Sequence, residues 1–134
     1  MSIEDYAKVF RERGHQVLCI SEHGNRSNVY QQFDIAKKYS DDTFHMTPLA
    51  AAEVYYVPDR SLDLKDDRHF HLILIAKDMV GLRQLNKAIS EANMSGFYRY
   101  ARVDLDILSR LDPRHCLCTT ACVGGIMKDP QYEY

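Results

Sequence analysis

The stretch Leu72-Ile73-Leu74-Ile75-Ala76 is an unbroken apolar run, with no alternation of polar and apolar positions. A run of this length suits a strand rather than a helix, and a strand apolar at every position is expected to be covered on both faces. Such coverage belongs to parallel sheets with helices packed on them. The run therefore predicts an α/β fold with this strand near its centre. His69 and His71 stand just before it. Side chains alternate along a strand, so the two imidazoles should point the same way. Two readings stay open, a metal site or strand-end histidines bonded to backbone and water, and this stretch by itself favours the second.

The remaining segments alternate between short apolar strands and amphipathic helices. Ser2 with Asp5 resembles a capping box, and Ile3, Tyr6, Ala7 and Phe10 mark the inner face of a first helix. Val17 to Ile20 reads as a buried strand that ends in the polar turn from Ser21 to Asn25. A second helix runs to about Tyr39, with Val29, Phe33 and Ala36 inward. Pro48 weakens an early strand, and Glu53 to Val57 makes a better one. Pro58 to Arg68 is the most loop-like segment. Asp78 can cap a helix with Leu82, Leu85, Ile89 and Ala92 inward, ended by Gly96. Phe97 to Val103 reads as an extended connection, Leu105 to Leu111 as a short helix, and His115 to Cys122 as a last strand. Residues 1–127 form one domain on this reading, and 128–134 a flexible tail. The alternation predicts parallel βαβ units.

At 134 residues and a formal net charge of −2, the chain carries no general basic footprint for nucleic acid. No run approaches a membrane span, and the first residues lack the basic and apolar regions of a signal peptide. Four cysteines without a secretory signal point to free thiols in a reducing compartment, so a cytoplasmic location is expected.

His23, Glu53, His71 and Cys122 make a mixed nitrogen, oxygen and sulfur set. Imidazole and carboxylate suit zinc, manganese or iron, and a thiolate leans toward zinc. The four are scattered singly, so each also reads as an ordinary turn histidine, surface acid, strand-end histidine or small buried thiol. Cys116, Cys118 and Cys122 would face one side of a regular strand, but their spacing is not that of a zinc ribbon. Asp67-Arg68-His69 puts an acid and an imidazole on one side of the chain, and solvated loop residues explain it as well. Arg99 and Arg102, interleaved with Phe97, Tyr98 and Tyr100, either touch phosphates and stack with bases or form a packed connector. There is no Gly-rich phosphate loop and no nucleophile elbow.

The succession Ile20-Ser21-Glu22-His23-Gly24-Asn25, then Glu53-Val54-Tyr55, then Phe70 to Lys77 resembles the PHP domain (polymerase and histidinol phosphatase). The form at the N-terminus of the bacterial replicative DNA polymerase III alpha subunit is the closest. Gly81 to Asn86, Gly96-Phe97-Tyr98, Arg102-Val103-Asp104 and Thr120 to Gly125 continue in the same order. The resemblance implies a distorted (β/α)7 barrel, mainly parallel, with up to three metals at the mouth of its strands and phosphoester hydrolysis as the family chemistry. Some polymerase members proofread as exonucleases, and others have lost their ligands and serve as support. It assigns His23, Glu53 (as a bridging carboxylate), His71 and Cys122 as metal ligands; Glu22 stands where the family usually has Asp, and His69 has no counterpart.

The family's opening His-x-His strand and its late Asp-x-His motif have no match here. The resemblance therefore implies an incomplete zinc or manganese site on a partial barrel that one chain does not close. An eight-fold barrel takes about 250 residues, and the roughly four strands read here are too few. An open sheet edge calls for a protein partner or a second copy to cover it. The expectation is a truncated, polymerase-derived module that binds or interacts without catalysis as an isolated chain. The alternatives are a metal-dependent phosphoesterase completed by a second subunit, and a piece of a longer polymerase.

Overall fold

The computed structural model describes residues 1–62 and 69–126, so Asp67, Arg68 and the expected tail lie outside the described residues. The first helix, α1 (Ile3–Glu12), is closed by a capping box in which Asp5 does what Glu or Gln usually does. The Asp5 amide donates to Ser2 Oγ at 3.2 Å, and the Ser2 amide donates to Asp5 Oδ2 at 2.7 Å. Ala7 is buried, with Ile3 and Phe10 beside it, against Leu18, Ile35, Ala36 and Met46. These come from α1, from β1 (Val17–His23), from α2 (Val29–Lys38) and from the segment after it.

The buried face of α2 differs from the expected one. Gln32, Ile35 and Ala36 point inward, while Phe33 is 37% exposed. Gln32 is buried because its amide is spent: Nε2 donates to Leu18 O at 2.7 Å and to Leu49 O at 2.8 Å. A polar side chain thus fastens the helix to two strands at once.

The second strand, β2 (Thr47–Tyr56), begins well before Glu53 and includes Pro48. The Thr47 amide donates to Gln16 O at 2.7 Å, so amides alternate and Pro48 turns its missing N–H to the opposite edge. There the ladder to β3 (Phe70–Ala76) starts only at Ala51, paired with Ile75. No ladder hydrogen bond is lost.

The expectation of mainly parallel strands is corrected by these pairings. β1 runs parallel to β2, but β2 and β3 are antiparallel, as are β3 and β6 (Cys116–Thr119). On the edge of β2 that carries β1, the last residues pair in parallel with β5 (Tyr100–Val103). β4 (Phe97–Tyr98) and β5 form an antiparallel hairpin with Arg99 at its tip at φ +59°, where an extended connection was expected. The result is a mixed α/β sheet that is open among the described residues; no pairing joins β6 back to β1 or β4.

One face of the sheet carries the main core. Ala50, Ala52 and Val54 of β2 and Leu72, Leu74 and Ala76 of β3 pack against Leu85, Ala88 and Ala92 of α3 (Met79–Ser95). Asp78 caps α3 by accepting the Val80 and Gly81 amides, both at 2.9 Å. Gly81 is required by the packing: a Cβ there would lie 2.1 Å from the carbonyl oxygen of His115, just before β6. α4 (Leu105–Leu108) adds Ile107 to the same core. On the other face Ile73 and Ile75 are only partly buried, so β3 is not covered on both sides as its sequence had implied. That second face carries the site.

Candidate metal centre

Strand register gathers the site. His23 ends β1 directly beside Glu53 of β2, and Tyr55 of β2 lies opposite His71 of β3. Paired residues share a face and alternate residues along a strand do too, so all four side chains stand on the face away from α3. The fourth expected ligand arrives by a different route. Cys122 is not on the last strand, because β6 ends at Thr119 and the chain turns back through Ala121 at φ +58°. The turn is pinned by the His71 amide donating to Gly124 O at 3.0 Å and the Gly125 amide donating to Cys122 O at 2.8 Å. A Cβ on Gly125 would meet Thr120 O at 1.9 Å, so the turn that delivers the thiol requires glycine.

The four side chains are in contact. Glu53 Oε1 lies 2.7 Å from His71 Nδ1 and 3.4 Å from His23 Nδ1. Cys122 Sγ lies 3.4 Å from His71 Nδ1 and accepts from the Gly124 amide at 3.4 Å. The carboxylate is the innermost of the set, with Glu53 14% exposed, His71 25% and His23 67%. Glu53 Oε1 is itself fully buried, yet neither imidazole meets it at an angle that makes a hydrogen bond. A buried anionic oxygen without a donor is costly, and a cation is one way to satisfy it.

Donors around a zinc ion at 2.0–2.3 Å lie roughly 3.3–3.7 Å apart. The two 3.4 Å contacts match that spacing and the His71–Glu53 contact is tighter. Among the described residues no three His, Cys, Asp or Glu side chains are already arranged to hold a metal ion. The donors are collected but not spread around an ion. Their chemistry, two imidazoles, a carboxylate and a thiol, suits zinc first.

The family model described as PHP domain matches residues 1–133. The chain belongs to the PHP domain family. DNA polymerase III subunit alpha of Aquifex aeolicus (strain VF5) is 29% identical over 135 aligned residues, covering 94% of this chain and 11% of that protein. The proteins of the same name from Chlamydia trachomatis and Borreliella burgdorferi are each 31% identical, covering 87% and 82% of this chain. The chain spans only 9–11% of the length of these relatives.

Other residues of this PHP domain have definite places. Glu22, next to His23 on the strand, turns to the opposite side. It accepts from Ser27 Oγ at 3.0 Å, from the Asn28 amide at 2.9 Å and from Asn28 Nδ2 at 2.7 Å, which orders the turn into α2. Arg102, which the sequence left as a phosphate contact or part of a packed connector, points into the fold. It is only 5% exposed and is committed to main-chain carbonyls, donating to Gly96 O at 2.9 Å and to Leu62 O and Arg60 O at 2.8 Å. Arg99 is exposed at the hairpin tip, with its guanidinium over the Tyr98 ring at 5.7 Å. Cys116 is buried beside α3 with its thiol pushed up by burial, so it belongs to the core.

Sequence reasoning did not single out Tyr55, although alternation from Glu53 would have placed it on the site face. Its hydroxyl lies 3.2 Å from His23 Nδ1. Burial pushes its phenol up, with Glu53 and Tyr100 adding to the effect, so the hydroxyl keeps its proton at neutral pH. His69 stacks on His71 at 5.6 Å and 18°, as the strand alternation implied, and meets the edge of Tyr55 at 5.0 Å. Among the described residues no helix is long and apolar enough to cross a membrane.

Proposed function

We propose that this chain is a PHP module related to the polymerase III alpha type, which binds divalent metal through His71, Glu53, Cys122 and His23. On this reading it does not turn over phosphoesters as an isolated chain. The buried, hydrogen-bond-free Glu53 Oε1 between two imidazoles and beside a thiol carries the metal part of the reading. Zinc is preferred to manganese because of the thiol donor. The metal would supply a water acidified enough to attack a phosphoester. The chain's own residues would bind the ion, fix its position on the sheet and present it to solvent.

Two observations support a binding role over turnover. His23 is two-thirds exposed, and the sheet beneath the site is open among the described residues, so neither encloses the reacting group from water. The outer edges of β1 and β6, which have no strand partner among the described residues, would be covered by a protein partner or by a second copy. The second reading, a metal-dependent hydrolase completed by another subunit, is favoured by the same donor cluster. The test is phosphodiesterase turnover with zinc or manganese, measured with native mass on the same sample. The proposal predicts no turnover. Hydrolysis abolished by chelation and by His71→Ala would refute it, and turnover only in an oligomer would establish the second reading.

A further inference from the structure

His23 is the last residue of β1 and its side chain is two-thirds exposed, so packing alone does not hold it over the centre. Its place depends on its main chain and on the turn that follows, residues 24–28. That turn is tied down at both ends. The Gly24 amide donates to Glu53 O at 2.7 Å, which joins the start of the turn to the strand that carries the carboxylate. Glu22 holds the far end, accepting from Ser27 Oγ at 3.0 Å and from the Asn28 amide at 2.9 Å. Between them stands Asn25, which is exposed, yet both ends of its side-chain amide are bonded to main chain. Nδ2 donates to His23 O at 2.9 Å, and Oδ1 accepts the Ser27 amide at 3.0 Å. These partners fix which way the amide points, because a carbonyl only accepts and an N–H only donates.

We infer that Asn25 is a positioning residue of the centre, whose Nδ2 clamps the His23 carbonyl and so holds the His23 imidazole beside Glu53. The two bonds of Asn25 do different work. The one from the Ser27 amide to Oδ1 is an Asx turn, which aspartate makes as well as asparagine. The one from Nδ2 to His23 O adds nothing to the turn itself, and aspartate cannot make it, because a carboxylate only accepts. Aspartate would instead set a carboxylate against the His23 carbonyl oxygen. The effect on metal affinity rests on the metal-binding reading, but the order given to His23 and Gly24 is a property of the metal-free chain and is tested separately. Outer partners that orient a ligand are generally worth 10–100-fold in metal affinity.

The experiment measures zinc affinity and thermal melting of the full chain for wild type, Asn25→Ala, Asn25→Asp, His23→Ala and the combined Asn25→Ala, His23→Ala variant. Backbone 15N relaxation is recorded on metal-free wild type and Asn25→Asp. Zinc affinity should be about tenfold lower in both Asn25 variants, although an added carboxylate would by itself favour a cation. The Tm of Asn25→Asp should stay within about 2 °C of wild type, because the turn is kept, while the order parameters of the His23 and Gly24 amides fall. On the His23→Ala background Asn25→Ala should change zinc affinity by less than about twofold, since it acts through His23. Asn25→Asp that binds zinc as wild type does, or an Asn25→Ala effect that persists without the His23 side chain, overturns the positioning role. If the order falls as predicted but wild type takes up no zinc, the positioning role stands and the metal-binding reading is what fails.

Discussion

Replacing Arg102 by Leu separates a structural arginine from a ligand-binding one. Three charge-assisted hydrogen bonds would be lost, from Nε to Gly96 O and from the two terminal nitrogens to Leu62 O and Arg60 O. Hydrogen bonds to charged groups contribute about 1.5–3 kcal/mol each, which sums to roughly 4.5–9 kcal/mol. The Leu62 and Arg60 carbonyls are partly buried, so water can replace some of what they lose, while leucine keeps much of the stem's packing. The expected net loss is about 3–5 kcal/mol, a large part of the 5–15 kcal/mol typical of a whole domain. For a chain of this length that corresponds to a fall in Tm of about 10–20 °C. Urea unfolding followed by circular dichroism should show a lowered midpoint at constant slope. A midpoint within about 1 kcal/mol of wild type would refute the structural assignment.

Gly81→Ala should destabilise the fold by about 2 kcal/mol or more, although alanine in a helix is ordinarily the better residue by about 1 kcal/mol. The added Cβ would lie 2.1 Å from His115 O, backbone that cannot move without shifting β6; a raised Tm would contradict this packing. Acid should unfold the chain through carboxylates whose folded pKa is depressed. Hydrogen bonds from Arg11 and Thr43 hold Asp41 down, the Gly81 amide and His115 hold Asp78 down, and Arg114 holds Asp112 down to about 2. Their contribution is fully present above the unfolded carboxylate value near 4 and is lost as pH falls through the lower folded values. Stability should therefore be flat from about pH 7 to 5 and drop below about 4, and a rise on acidification would contradict the assignment.

The helices and most strand positions were legible in the sequence because their signals are local. The capping box of α1, the Asp78 cap and Gly96 end of α3, and the shared direction of His69 and His71 all follow from spacing alone. Strand direction was not legible. The run from Leu72 to Ala76 is apolar at every position, yet its odd positions are half-covered because they line the site face rather than a second helix layer. An apolar run records hydrophobicity but not which neighbour supplies the cover, and so the antiparallel β2–β3 pairing gave no warning. Gln32 was missed as a buried residue because its partners, Leu18 O and Leu49 O, are main-chain atoms with no sequence signature. Of the site, all four expected donors do meet, but the family resemblance rather than spacing singled them out. Tyr55 was within reach of strand alternation from Glu53, whereas the turn that carries Cys122 emerges only from the His71–Gly124 hydrogen bond.

The central claim is that two strand registers and one glycine turn gather His23, Glu53, His71 and Cys122 into a single metal-binding centre. Zinc affinity of the full chain, measured by competition with a chromophoric chelator, tests it most directly, with His71→Ala, Glu53→Gln and Cys122→Ser beside wild type. Wild type should bind zinc stoichiometrically, and each variant should bind at least about tenfold more weakly while its circular dichroism is unchanged. Wild type that binds no zinc, or variants that bind as wild type does, would contradict the account.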